Sequence, residues 1–124
     1  MDASPQRYDI DSVSILFEVG TPFDIAAVGA AQTPWWNRTL CAVNQTWVRL
    51  GVMDGDFHWH KHEGEDEFFM VLEGHLDIAL DGRTVSLDPG QAFVVPAGTM
   101  HRPSARGRTV VLMVENAGVV PTGD

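Results

Sequence analysis

The sequence predicts an all-β sandwich or barrel, and two observations carry this prediction. Four glycines fall eight residues apart and separate short apolar runs; they are Gly74, Gly82, Gly90 and Gly98. Turn residues at such even spacing are typical of antiparallel β-structure. The length of 124 residues matches one ordinary domain, and a hydrophobic content of 44% is sufficient for a buried core.

The individual strands are predicted from runs of apolar and β-branched residues between turn signals. In chain order these runs are RTLCAV (38–43), TWVRLGVM (46–53), FHWHKH (57–62), EFFMVLEG (67–74), HLDIAL (75–80), RTVSL (83–87), QAFVV (91–95) and RTVVLMVEN (108–116). The Asp81-Gly82 pair predicts a two-residue hairpin with a primed turn, because glycine accepts a positive φ.

The two ends of the chain differ from this pattern. DIDSVSILFEVG (9–20) predicts the start of a short helix, with Asp11 or Ser12 as its N-cap. TPFDIAAVGAAQTPWW (21–36) shows no clear period. We therefore expect residues 1–37 to form an arm on the outside of a 38–118 barrel or on a neighbouring subunit. Residues 119–124 are expected to form a flexible tail.

Composition excludes several classes of function. The formal net charge of −9 argues against nucleic acid and anionic membrane surfaces as partners. The one cysteine, Cys41, cannot form an internal disulfide and is expected to be a buried, inert thiol. The first residues are acidic and lack the apolar core of a signal peptide, and no apolar run reaches membrane-spanning length. These features predict a cytoplasmic protein.

The stretch HWHKHEGEDE (58–67) holds three of the five histidines at every second position. On a strand, alternate side chains share a face, so His58, His60 and His62 are predicted to point the same way. Two histidines separated by one residue can then chelate a metal. Glu67 opens the next strand after a turn at Gly64 and can fold back towards them. The other acids, Glu63, Glu65 and Asp66, are expected to form a solvated loop.

Two longer patterns extend this cluster. The first reads His60-x-His62, four residues, Glu67, six residues, Gly74; the second reads Gly90, five residues, Pro96-x-Gly98, two residues, His101. Together they closely resemble the two motifs of the cupin family, also called RmlC-like β-barrels, over roughly residues 38–116. The resemblance implies a single-domain cupin barrel (a jelly roll) in which His60, His62, Glu67 and His101 bind one divalent metal.

This sequence departs from the family pattern at two positions. Asp54 stands where the first motif usually begins with a glycine, and Ala105 stands where the second often has an asparagine. Neither position supplies a ligand.

Three imidazoles and a carboxylate suit Fe, Mn, Ni, Co, Cu or Zn, and the ligand types do not choose among these metals. Four protein ligands on an octahedral ion leave two positions open, whereas a closed structural zinc site leaves none. The apolar pocket beside the metal is predicted to be lined by alternate strand residues, namely Phe69, Val71, Phe93 or Val95.

Two functions are compatible with this resemblance. One is a metal-dependent enzyme, a dioxygenase, isomerase or lyase, acting on a small organic molecule in the barrel lumen. The other is a non-catalytic cupin that binds a metal or a small ligand. Because the edge strands of this family often pair across a two-fold axis, a homodimer is expected.

Further polar and aromatic residues are candidates for the site. Arg49 either faces the lumen, where it would bind an anionic substrate group, or points outward along the sheet, which is the favoured interpretation. His58 either acts as a general acid or base beside the metal or fills the barrel wall.

The remaining candidates have more ordinary expected roles. Arg102 is expected at the surface or at a subunit contact, and His75 is expected to be exposed. Trp35 and Trp36 are expected in packing or a dimer contact, with a lid over the barrel mouth as the alternative.

Overall fold

Eight strands and one short helix make up residues 8–123, the part of the chain that the computed structural model describes. In chain order they are β1 (Asp9–Ile15), α1 (Ile25–Ala30), β2 (Trp36–Val43), β3 (Thr46–Asp56), β4 (Glu67–Glu73), β5 (Leu76–Leu80), β6 (Arg83–Leu87), β7 (Ala92–Val95) and β8 (Arg102–Asn116). The all-β prediction is confirmed. No helix among these residues has the length and apolar character needed to cross a membrane.

Strand β8 organises the sheet. One of its edges pairs with β3 from Thr46↔Asn116 to Asp56↔Ser104. Its other edge pairs first with β5 and then with β4. The strand order is β1-β2-β3-β8-β4-β7, with β5 joined to β6 and β8. All pairs are antiparallel except β1 with β2.

The core has two parts because the residues of β8 alternate between the two faces of the sheet. Val111 and Met113 lie in an inner cluster with Phe69 and Val71. Val110 lies in an outer cluster. The buried members of this outer cluster are Trp36, Leu40, Leu50, Val52 and Val110, and α1 contributes Ile25 and Val28 to its cover. The inner face is the one that carries the candidate site.

The predicted helix start at residues 9–20 is wrong, because residues 9–15 form β1. Asp11 Oδ1 accepts hydrogen bonds from Val13 N (2.8 Å) and Ser14 N (3.0 Å), which are the bonds a helix N-cap would accept. Here they hold an irregularity between Ile10 and Ile15 in a strand that pairs with β2. The helix begins later, after Asp24, whose side chain accepts from Ala27 N.

The predicted strand at 57–62 is also wrong. β3 ends at Asp56, and the segment that follows is a loop. An antiparallel bridge joins this loop to His101: His60 N donates to His101 O (3.0 Å) and His101 N donates to His60 O (2.9 Å). This bridge fixes the position of His60 relative to His101.

The hairpin at Asp81-Gly82 is confirmed, since Leu80 pairs with Arg83 across it. Its turn is not of a primed type. Gly82 has a φ of 79°, but Asp81 is not among the residues of positive φ, whereas both primed types need a positive φ at the first central residue.

Gly74, at the turn between β4 and β5, is the glycine with the tightest surroundings. Its φ is 89°, and a Cβ there would lie 2.5 Å from Thr109 Oγ1 and 2.7 Å from Arg108 O. Gly74→Ala should therefore cost about 1–2 kcal/mol for the left-handed conformation and a further 1–3 kcal/mol, roughly, for the overlap. Urea unfolding at neutral pH measures this loss.

Gly82→Ala is the matched control, since Gly82 has a φ of 79° and nothing within 4 Å of a Cβ. It should lose only the conformational part. Equal losses in the two variants would show that the close approach at Gly74 has no energetic weight.

Candidate metal centre

Four side chains from three parts of the chain converge on the inner side of the sheet. They are His60, His62, Glu67 and His101, and each is buried, with 1–7% of its surface exposed. One ligand atom from each lies within 4.8 Å of every other. The structure thus brings together all four residues that the two motifs indicated, in a group that can hold a metal ion.

Main-chain contacts place these side chains. The bridge between His60 and His101 joins the two loops that carry them. Gly98 N donates to His62 O at 2.7 Å, which ties the histidine loop to the turn at residues 96–98. Glu67 is the first residue of β4 and pairs with Val95 of β7. Its side chain therefore shares the inner face with Phe69 and Val71.

Hydrogen bonds to main-chain carbonyls orient two of the imidazoles. His60 Nδ1 lies 3.0 Å from His58 O, and His101 Nδ1 lies 2.9 Å from Thr99 O. A carbonyl only accepts, so each Nδ1 carries the proton and the neutral ring keeps its lone pair on Nε2. This arrangement is the one that holds metal-binding histidines in proteins.

The distances within the group fit a bound cation. Glu67 Oε1 lies 3.3 Å from His62 Nε2 and 3.5 Å from His101 Nε2, which is longer than a good hydrogen bond. Glu67 Oε1 and His101 Nε2 are both buried and have no hydrogen-bond partner among residues 8–123. Buried polar atoms of this kind are rare unless a water or an ion satisfies them. The donor set therefore fits a divalent metal.

Burial and the charges of neighbouring groups shift the pKa values of His60 and Glu67. Burial lowers the pKa of His60 to about 4, and the neighbouring His101 contributes to the shift. Burial alone would raise the pKa of Glu67, but the adjacent His101 and His62 outweigh it and hold that pKa below its usual range. At neutral pH His60 is thus neutral and Glu67 is charged, the forms that bind metals.

Arg49 lies beside this group and is fully buried, so the favoured interpretation of an outward arginine is wrong. Its Nε lies 3.4 Å from Glu115 Oε1. Its other nitrogens donate to Thr39 Oγ1, Asn37 Oδ1 and, at 3.2 Å, Asp11 O. The three bonds satisfy part of the buried guanidinium and tie β1 and β2 to β3, whereas the buried Nε has no hydrogen-bond partner among residues 8–123.

Burial, together with the charge of Glu67, raises the pKa of Glu115, so these two carboxyls take opposite protonation states.

The sequence did not indicate Glu115, Asn37 or Thr39 as residues of the site. Strand parity could have indicated two of them. Glu115 has the same parity as Met113 and Val111, which face inward, and Thr39 pairs with Arg49 across β2 and β3.

A small cavity of about 30 Å³ opens beside His60 and Glu67. Its apolar lining includes Trp35, Phe57 and Phe69, and its polar lining includes Arg49 and Glu115. Of the predicted lining residues, Phe69 is confirmed. Val71 and Val95 are buried in the inner core cluster, and Phe93 packs against that cluster.

His58 is not one of the four converging residues. It is exposed, its ring centroid lies 5.3 Å from that of His60, and its Nε2 lies 2.7 Å from Thr122 O. The proposed catalytic role of His58 stays a prediction.

The remaining candidates are not among the four converging residues. His75, expected to be exposed, is half-buried between Asp77 and Asp88. Arg102 is near the surface, over the ring of Trp59. Cys41 is half-buried rather than buried. Trp35 and Trp36 pack in the inner and outer clusters respectively.

The fold and this buried group define a small β-barrel protein with a candidate metal site. The chain belongs to the cupin domain family, whose model matches residues 46–115. The resemblance of the two motifs to that family is thereby confirmed.

Two relatives from Bacillus subtilis illustrate the range of similarity. The uncharacterized protein YdbB is 42% identical over 81 residues, which cover 64% of this chain and 72% of YdbB. Quercetin 2,3-dioxygenase is 43% identical over 42 residues, which cover 34% of this chain and only 12% of that enzyme. The second similarity is thus confined to a short segment.

Solved structures agree with the fold. A cupin-2 domain containing protein from Shewanella frigidimarina has a TM-score of 0.73 and 28% identity, over 76% of this chain and 93% of that one. KdgF from Halomonas sp. has a TM-score of 0.60 and 26% identity, over 65% of this chain and 78% of that one.

Acid should destabilise the metal-free protein through His60. The pKa of His60 is about 4 in the folded protein and about 6.5 in an unfolded chain, so between these values only the unfolded chain takes up the proton. The free energy of unfolding that depends on neutral His60 is at its full value above pH 6.5. It falls as the pH drops towards 4, by about 3 kcal/mol in all. Urea unfolding of metal-free protein at pH 7 and pH 4.5 measures it.

The variant His60→Asn lacks the titrating group and should lose less stability over the same pH interval. A pH dependence identical to that of the wild type would contradict the assignment of this effect to His60.

Proposed function

We propose that this chain binds one divalent metal through His60, His62, Glu67 and His101 and is a metal-dependent enzyme acting on a small organic molecule in the barrel lumen. One observation carries the proposal: three imidazoles and one carboxylate converge within 4.8 Å in a buried group. Glu67 Oε1 and His101 Nε2 are buried within this group and have no hydrogen-bond partner among residues 8–123. A metal ion would satisfy both atoms.

Each part of the site has a proposed task. Bound metal would supply a Lewis acid or an oxygen-binding centre. The carbonyls of residues 58 and 99 hold the rings of His60 and His101 in place. Trp35, Phe57 and Phe69 exclude bulk water from the cavity. Arg49 is the proposed binding residue for an anionic group of the substrate, since it lines the same cavity.

The reaction belongs to the dioxygenase, isomerase or lyase classes. Similarity to quercetin 2,3-dioxygenase favours oxygen chemistry, over the 42 residues that align. His58 is the proposed general acid or base, because its ring centroid lies 5.3 Å from that of His60 and an imidazole can both donate and accept a proton.

A non-catalytic cupin that binds a metal or a small ligand is the second candidate. The size of the cavity favours it over an enzyme with an organic substrate, because about 30 Å³ is room for only roughly two water molecules beside the metal. Elemental analysis of protein purified without oxygen distinguishes the two candidates in part. Iron would favour oxygen chemistry, whereas zinc, manganese or nickel would favour isomerase, lyase or binding roles.

The proposal includes a cytoplasmic homodimer. The dimer has support in the exposed apolar side chains of β1 and of the residues that follow it, where Val13 is 81% and Val19 is 88% exposed. Exposed apolar surface of this kind can serve as a subunit contact.

Removal of a ligand should remove the metal. His60→Ala, His62→Ala, His101→Ala and Glu67→Gln are each expected to lower metal content well below one ion per chain, by about 10-fold or more in affinity. Inductively coupled plasma mass spectrometry after dialysis against a weak chelator measures the content.

Two residues outside the ligand set, a histidine and an aspartate, supply controls. His75→Ala removes a histidine that pairs with Asp77 and Asp88, and Asp66→Asn keeps the oxygen that accepts from Ala97 N. Both variants should keep full metal. Metal loss in either control equal to that in His101→Ala or Glu67→Gln would show that the ligand set is misassigned.

A further inference from the structure

A short segment at the C-terminal side of β8 covers the cavity. We call residues 119–123 the closing segment. Val119 and Pro121 within it are buried, and Pro121 lines the same cavity as His60 and Glu67. The closing segment therefore forms one wall of the proposed ligand site, although the sequence predicted only a flexible tail there.

The side chain of His58 holds the closing segment, and a turn forms within the segment. His58 Nε2 donates to Thr122 O at 2.7 Å, and Gly123 N donates to Val120 O at 2.9 Å to form a turn. The contact to His58 explains the third histidine of the HWHKH run in a way that does not involve metal. It also links the residue two positions before His60 to the cover of the cavity.

Gly123 lies against His60, one of the four converging residues. A Cβ at this position would lie 2.7 Å from His60 Cβ and 3.2 Å from Lys61 O, and the φ of Gly123 is 100°. Neither of these neighbours is the far end of a flexible side chain that could move aside. Only glycine permits the closing segment to lie against His60 in this way.

The volume of the covered cavity sets a limit on its contents. About 30 Å³ holds roughly two waters, whereas a cavity that binds benzene measures about 150 Å³. A ring-sized molecule therefore cannot lie beside His60 and Glu67 while the closing segment is in place. Displacement of the segment would remove Pro121 from the wall and release His58 Nε2 from Thr122.

We propose that the closing segment determines which ligands this site admits. While the segment lies against His60, the site accepts ligands of one to a few atoms. Ring-sized ligands bind only when the segment moves away from His60. The inference rests on the proposed function, because it concerns ligands of the metal held by His60, His62, Glu67 and His101. We call the state in which the segment has moved away from His60 the open state. If the open state makes up about 10% of the molecules or less, closure weakens the binding of a large ligand about tenfold or more.

The test uses the protein loaded with Co²⁺ and two anionic metal ligands of different size. Azide has three atoms, whereas benzohydroxamate carries a ring. Their affinities are read from the visible absorption of Co²⁺. The closing segment should weaken the binding of benzohydroxamate but not that of azide, so each affinity is compared between the wild type and the variants.

Two changes remove the cover. A chain ending at Gly118 lacks the closing segment, and Gly123→Ala displaces it by the overlap with His60. Each should strengthen benzohydroxamate binding by about tenfold or more and leave azide binding unchanged, as expected when a closed state no longer competes with the large ligand. Gly107→Ala is the matched control, since Gly107 in β8 has a φ of 75° with nothing within 4 Å of a Cβ. It should behave as the wild type does.

The outcomes separate the two proposals. Bound Co²⁺ with an unchanged ratio of the two affinities in both variants would overturn the role of the closing segment and leave the proposed function intact. A wild type that takes up no Co²⁺ would contradict the proposed function itself. Gly123→Ala retains the full chain, so the test does not depend on the folding of the shortened protein.

Discussion

The bridge between His60 and His101 is the constraint on which the rest of the site depends. Two main-chain hydrogen bonds of 3.0 and 2.9 Å join loops that are distant in the sequence. The pairing of β3 with β8 brings these loops together, because His60 follows β3 and His101 precedes β8. With both loops fixed, the carbonyls of residues 58 and 99 orient the two rings, and Glu67 at the start of β4 completes the group.

The site concentrates charge that a small β-barrel would otherwise keep at its surface. Arg49, Glu67 and Glu115 are each 1–4% exposed, and desolvation of such groups costs several kcal/mol apiece, in order of magnitude. Protein oxygens satisfy part of the Arg49 guanidinium, and the raised pKa of Glu115 relieves its repulsion from Glu67. Glu67 stays charged among imidazoles, which is an arrangement that a bound cation would complete.

The sequence predicted those features that local patterns encode. The four converging residues could be identified because His60, His62 and Glu67 lie close together and the turn glycines fix their surroundings. Features set by tertiary contacts could not. Asp11 makes the hydrogen bonds of a helix N-cap, but it lies within a strand. The sequence does not show that β2 has a free edge with which this segment pairs, so it could not distinguish the strand from a helix. The inward position of Arg49 could be predicted only from the register that pairs it with Thr39. The approach of Gly123 to His60 could not be predicted, because these residues are 63 positions apart in the sequence.

The central claim is that three imidazoles and one carboxylate bind one metal. X-ray absorption spectroscopy of the zinc-loaded protein tests it most directly, because the fine structure distinguishes imidazole from other ligands. We predict nitrogen and oxygen neighbours at about 2.0–2.2 Å, with the multiple-scattering signature of three imidazole rings. A sulfur neighbour at about 2.3 Å, which only Cys41 or a methionine could supply, or a signature of fewer than two imidazoles, would contradict it.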